Sequence, residues 1–164
     1  TAYAGQNYGA GKAGRVREGL RKCALACEAI TLGIMVIMTA FGGVMSSWFI
    51  DGYHPEVIQQ AHLYLFISAL FYPALTMLFL YRNTLLGLGN GVTPMLAGVC
   101  ELLSRMIGAP VLGHFFGFTG LCWINPIAWV TASGLLFLSY RKTMRNIRPV
   151  DPTVDASDPN KIMN

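Results

Sequence analysis

A chain of 164 residues that is 54% hydrophobic and 12% charged carries about half the charge of an average soluble domain, which excludes an ordinary soluble fold. Its net charge of +4 calls for no nucleic-acid partner, because the basic residues flank apolar stretches, where anionic headgroups meet them. A hydrocarbon core of about 30 Å takes roughly 20 helical residues to cross, and uncharged or nearly uncharged stretches of that length lie at 24–48, 60–81, 92–113 and 118–140.

Residues 1–12 read as the end of a truncated helix that turns at Gly9-Ala10-Gly11, and 13–22 as a basic connector. The chain begins at Thr1 without an initiator Met, and four spans enclose too little surface for a pathway of their own. We therefore expect a piece of a larger protein, with residues 23–142 as its four-helix transmembrane part. The first span closes at Trp48, and Asp51-Gly52 starts a turn. Pro73 removes a backbone donor near the middle of the second span and predicts a kink there. Gly87, Gly89 and Gly91 make a short loop that ends at Pro94, which is placed to start the third span. That span stops near Gly113, and the fourth carries Asn125-Pro126. From Pro149 onward Pro, Asp, Ser and Asn dominate, so 143–164 is expected to be a disordered tail.

The distribution of Lys and Arg sets the orientation. Lys12, Arg15, Arg17, Arg21 and Lys22 precede the first span, Arg82 follows the second, and Arg141, Lys142, Arg145, Arg148 and Lys161 follow the fourth. The loops at 49–59 and 114–117 hold none. Basic residues collect on the cytoplasmic side, so the pattern predicts a multi-pass protein of the plasma (cytoplasmic) membrane with both ends cytoplasmic. Trp48 and Tyr53 at one side, and Tyr81 and Tyr140 at the other, suit the aromatic belts of the two interfaces. Arg105 is the basic residue that breaks this order by lying inside a span.

Glu101 and Arg105 sit about one turn apart near the middle of the third span. An ionised side chain at that depth costs about 2.5–3.5 kcal/mol, so neither should face lipid, and their i, i+4 spacing allows a direct pair. Two readings follow: a structural pair that locks two helices, or a group that couples protons or cations in a wet cavity. Glu28 lies a turn inside the first span, either as a pathway residue or reaching back to Arg21 or Lys22. Its face continues through Thr31, Met35, Met38, Gly42 and Met45; flexible, polarizable methionines suit a substrate wall and ordinary helix packing alike. Tyr64, Ser68, Tyr72 and Thr76 recur every four residues on the second span, and Asn125 joins them as a candidate cavity-lining group. The alternative is that these polar groups hydrogen-bond helices together, at about 0.6 kcal/mol each.

Cys23, Cys27, Cys100 and Cys122 read as small apolar thiols. Cys23 and Cys27 share a helix face, but no His or acid ligand set accompanies them, and we expect no metal site and no cofactor. GQNYGAGKA departs from a phosphate-binding loop at Gln6 and Ala13, and GLGNG lies between two spans rather than between a strand and a helix. With no nucleophile–base motif in the sequence, the protein is not expected to be an enzyme.

The order of landmarks resembles the multidrug and toxic compound extrusion (MATE) family of transporters. GQNYGAGKAGRVREGLRK, with Gln6, Gly9, Gly11 and Arg15, is similar to the family's inner loop after the second helix of a lobe. YRNTLLGLGNGVTPML, with Arg82, Gly87 and Gly89, resembles the loop joining the fourth and fifth helices, and ELLSRMIGAPVLGHFFGFTG followed by NPIAW resembles the last two helices of the C-terminal lobe. The resemblance covers about residues 1–142. It implies an all-α polytopic membrane protein whose roughly four helices form part of a six-helix lobe. It also implies a secondary antiporter that expels small lipophilic cations against sodium or protons. Its partners would be the lipid bilayer and the N-terminal lobe of the same polypeptide. Some members carry a cation-site acid on the helix matching 60–81, where this chain has no Asp or Glu, so no coupling-ion ligand is carried over. A lipid or lipid-linked sugar flippase of related architecture, and a non-transporting membrane scaffold, are the alternative readings.

Overall fold

Glycine and proline decide where this chain breaks into helices. The computed structural model describes residues 1–48 and 55–146. α1 (Ala2–Gly9) ends where Gly11 takes a positive φ of 67°, a conformation that costs glycine nothing. α2 (Ala13–Ser47) follows. The basic connector expected at 13–22 is therefore helical and continuous with the first span, since Arg, Glu, Leu and Lys favour helix and no breaker separates them from Ala24. At 35 residues this helix is roughly 50 Å long, more than one membrane crossing requires.

α3 (Pro55–Leu70) and α4 (Tyr72–Gly87) form a single bent span, with an angle of 50° at Phe71. Pro73 stands in the first turn of α4, where its missing N–H is tolerated; farther inside a helix its ring would collide with the preceding turn. The kink expected from Pro73 is thus present and falls two residues before it. α5 (Val92–Asn146) contains a break at Gly117 (φ 58°, ψ −141°). The chain folds back there, because Gly120 lies against the Leu112 carbonyl oxygen and Thr93 meets Ser139 at 3.0 Å. Its two arms, 92–116 and 118–146, correspond to the third and fourth spans. The loop expected at 114–117 shrinks to one glycine, and the helix continues to Asn146, past the boundary drawn at 142. Asp51-Gly52, Tyr53 and the tail from 147 onward lie outside the described residues.

The packing is tightest where small residues admit large ones. Leu78 and Leu85 of α4 are buried against Ala97 of the first arm and Ala132 and Leu136 of the second, with Tyr81, Trp129 and Tyr140 around them. Alanine at such crossings lets helix backbones approach closely, which is how helices gain dispersion contacts in a bilayer. A second cluster, Ala4, Val16, Leu88 and Met144, joins α1, α2, the end of α4 and the end of α5. This is the end of the molecule that carries most of the basic residues, and we call it the basic end. Here α1 rests on α4 through two glycines: a Cβ on Gly5 would meet the Gly87 carbonyl oxygen at 3.0 Å, and one on Gly87 would meet Ala4 at 2.9 Å. Away from these contacts large apolar side chains such as Ile30, Val36, Phe41, Met106, Ile107 and Phe115 are exposed. With backbone groups satisfied inside helices, that surface suits lipid. The fold is an all-α, multi-pass membrane protein.

A charged junction between α4 and α5

Because α4 continues six residues past Tyr81, Arg82 is a helix residue rather than a loop residue. The chain then turns at Gly89 (φ 79°), and the Asn90 side chain accepts the Thr93 N–H at 3.2 Å to start α5. Arg82 and Ala97 lie at similar distances from that turn, so an antiparallel hairpin sets them opposite each other. A long arginine reaches one turn farther, to Glu101. Arg82 Nη2 donates to Glu101 Oε1, and its guanidinium also lies 5.8 Å from the centre of the Phe79 ring.

The partner foreseen from spacing, Arg105, stands farther off. Its Nη2 is 3.8 Å from Glu101 Oε2, and its side chain is 47% exposed, against 14% for Glu101 and 25% for Arg82. Glu101 faces protein as expected; Arg105 is half open. The Glu101–Arg105 pair allowed by spacing is present at this longer distance, and the facing helix adds Arg82, which meets the carboxylate directly. The cluster holds two cations and one anion, and Arg82 Nε is buried without a hydrogen-bond partner among the described residues. Sequence reasoning missed this link because Arg82 was placed in a loop. Folding the hairpin about Gly89 would have found it.

Glu28 is different. It is half-buried on α2, its Oε1 is buried, and among the described residues that atom has no hydrogen-bond partner. Lys22, one of the cations it might have reached, binds Glu18 at 2.7 Å instead. That exposed pair sits before the span, and the hydrogen bond from Lys22, then its charge, lowers the Glu18 pKa from its ordinary value.

The polar stripe of α3 and α4 is shared between two neighbours. Asn125 Nδ2 donates to the Tyr64 hydroxyl at 2.9 Å, tying α3 to the second arm of α5. Tyr72 packs on Trp129 with ring centres 6.2 Å apart. Thr76 and Thr31 join their hydroxyls at 2.7 Å between α4 and α2. Ser68 is buried between these contacts, and its Oγ has no partner among the described residues. Met35 and Met38 are half-buried on the α2 face that also holds Thr31 and Gly42, and Gly42 is small enough to let His62 approach. A groove of about 430 Å³ runs between α1, α2 and α4, and another of about 330 Å³ between α2 and α4. Neither is lined by Met35, Met38, Tyr64, Ser68, Tyr72 or Asn125. In this arrangement Tyr64, Tyr72 and Asn125 join neighbouring helices.

At the basic end Gln6 and Arg15 line a shallow groove with Lys12, Glu18 and Lys22. Gln6 O accepts the Ala10 N–H at 3.1 Å, and Arg15 O accepts from the Tyr3 hydroxyl at 3.2 Å. Gly9 closes α1, Gly11 and Gly89 supply the two positive φ angles at this end, and Gly87 supplies the close approach to α1. Arg17 Nη2 donates to the Met144 carbonyl at 3.1 Å, which places a cation at the negative C-terminal end of α5.

A family model described as MatE matches residues 1–111. Neither the curated proteins nor the solved structures contain a match to this chain.

Proposed function

Because the chain belongs to the MatE family of membrane transporters, we propose that it forms part of a secondary antiporter that expels lipophilic cations in exchange for sodium or protons, which move down their own gradient. The family match is the observation that carries this reading. Alternating access needs two bundles that move about a site between them, so the working unit is this chain with the N-terminal lobe of the same polypeptide. The molecule would sit in the cytoplasmic membrane with its basic end inward, a reading supported by the Lys and Arg distribution.

The residues divide the labour. Glu101 is already neutralised by Arg82 and belongs to the scaffold that holds α4 to α5. Glu28 has a buried oxygen without a partner among the described residues, so this chain's share of proton or cation binding falls to Glu28. Thr31 and Met35, on the same face, would form part of the wall along which an amphipathic cation moves. In cells or vesicles that make the full-length protein, ethidium should leave under an imposed sodium or proton gradient. Glu28→Gln should reduce that gradient-driven rate by at least tenfold while leaving protein levels unchanged. If no cationic dye moves under either gradient, the antiporter reading fails. Orientation is tested separately: cysteine placed at Ser47 should react with an impermeant thiol reagent from outside intact cells, and cysteine at Asn90 should not.

A further inference from the structure

α2 carries two thiols one helical turn apart, and the sulfurs of Cys23 and Cys27 stand 3.9 Å from each other. That separation discriminates among the fates open to a dithiol. A disulfide needs sulfurs at about 2.05 Å and Cβ atoms within about 4.5 Å, whereas Cβ atoms one turn apart on a helix are about 5–6 Å apart. Oxidation would have to deform α2. A single pyramidal atom that bonds both sulfurs at about 2.3 Å with an angle of about 100° would hold them about 3.5 Å apart, a few tenths of an ångström inside the separation already present and within reach of a side-chain rotation. Metals that demand three or four ligands find no such set, since no group of three or more His, Cys, Asp or Glu side chains comes together among the described residues. The pair is matched to a soft centre with two exchangeable positions.

Its surroundings add room for an organic substituent. Cys23 is exposed and lies on the groove of about 430 Å³ together with Val16, Leu20 and Leu80. Cys27 is half-exposed and lies on the groove of about 330 Å³ with Ile30 and Phe79. The other two thiols lack this geometry. Cys122 is fully buried on the second arm of α5, and Cys100 is on the first arm.

We propose that Cys23 and Cys27 form a capture site for monosubstituted trivalent arsenicals, with the aryl or alkyl group laid between α2 and α4. Each thiol gives its proton to one hydroxyl on arsenic, two S–As bonds replace two As–O bonds, and two waters leave. Arsenic remains trivalent throughout, so neither oxidant nor reductant is consumed.

The test uses the full-length protein in detergent, treated with phenylarsine oxide in the presence of excess glutathione and mapped by mass spectrometry of its peptides. The peptide holding both thiols should gain one phenylarsenic and resist alkylation at both positions, and a small dithiol should reverse the change. Cys23→Ser and Cys27→Ala should each weaken retention by about a hundredfold or more, because the second bond is intramolecular in the parent. Cys100→Ser and Cys122→Ser should leave capture at this peptide unchanged, and helical circular dichroism will identify any variant that has not folded. Retention by a folded single-thiol variant equal to that of the parent would overturn the proposal. So would faster conversion of the pair to a disulfide by a mild oxidant than to the arsenical adduct.

Discussion

Glu18 and Lys22 on α2 meet at 2.7 Å with side chains 64% and 74% exposed, whereas Glu101 at the α4–α5 junction is 14% exposed and takes its closest cation from another helix. The first pair follows directly from i, i+4 spacing, the second from a hairpin. Water surrounds Glu18, so its pairing adds little, as exposed pairs generally do. At Glu101 water is scarce, and removal of Arg82 would leave a largely buried charge facing only the more distant, half-exposed Arg105. The contrast shows that local spacing names a partner reliably only where solvent lets the choice matter little. Once a carboxylate is buried, the packed neighbour decides.

Arg82→Leu should break this comparison hardest. It leaves Glu101 with only the more distant Arg105 and should cost about 2–4 kcal/mol, below the upper range for a fully buried pair because both side chains keep some exposure. Arg82→Leu with Glu101→Leu should recover most of that loss, while Arg105→Leu should cost less than about 1 kcal/mol, in the range of exposed pairs. Melting of the purified protein in detergent measures all three. A double variant no more stable than Arg82→Leu would refute the tertiary pair, and a larger loss from Arg105→Leu would restore the same-helix pair as the dominant one.

The basic end offers a second comparison, between two glycines a turn apart. Gly87 lies against Thr1, Ala4 and Gly5, whereas a Cβ on Gly91 would find nothing within 4 Å. Gly87→Val should therefore cost about 1–3 kcal/mol by overpacking and should release α1, seen as faster proteolysis near Tyr8. Gly91→Ala should change neither stability nor cleavage. Equal behaviour of the two variants would mean that α1 does not dock on α4.

The smallest effect belongs to the exposed pair. The Glu18 pKa is lowered from its ordinary 4.5 and the Lys22 pKa raised from 10.5, each chiefly by their mutual hydrogen bond. The Glu18 contribution is present above 4.5 and disappears as pH falls through the lowered folded value. The Lys22 contribution is present below 10.5 and disappears as pH rises through the raised one. Across neutral pH it is constant, and Glu18→Gln should leave the melting temperature unchanged from pH 6 to 8. A clear shift in that window would show that the pair is coupled to something beyond α2.

Much of the fold was legible because a bilayer imposes a severe constraint. The absence of charge from stretches of about 20 residues marked the spans, Pro73 marked the bend, and Gly11 and Gly89 marked turns that need a positive φ. Boundaries were less legible. Residues 13–22 were separated from the first span because basic and apolar composition differ, yet helix propensity does not change at Ala24. The candidate site was legible in its residue types but not in its partnerships. Tyr64, Ser68, Tyr72 and Thr76 share one sequence pattern, but the bend at Phe71 comes between them, so Tyr64 binds Asn125 and Thr76 binds Thr31. No periodicity contains that information.

The sequence by itself determined what this protein is made of: helices for a membrane, basic residues gathered at one end, and the landmarks of a transporter family. Those properties depend on local composition, which hydrocarbon and water sort residue by residue. Only the tertiary structure decided that Glu101 meets Arg82 most closely, that Glu28 keeps an oxygen unpartnered among the described residues, and that α1 is held by Gly87. Each of these depends on which backbones come within reach across a helix interface, and that distance is fixed by the turns at Gly89 and Gly117 together with the small residues that let the helices close.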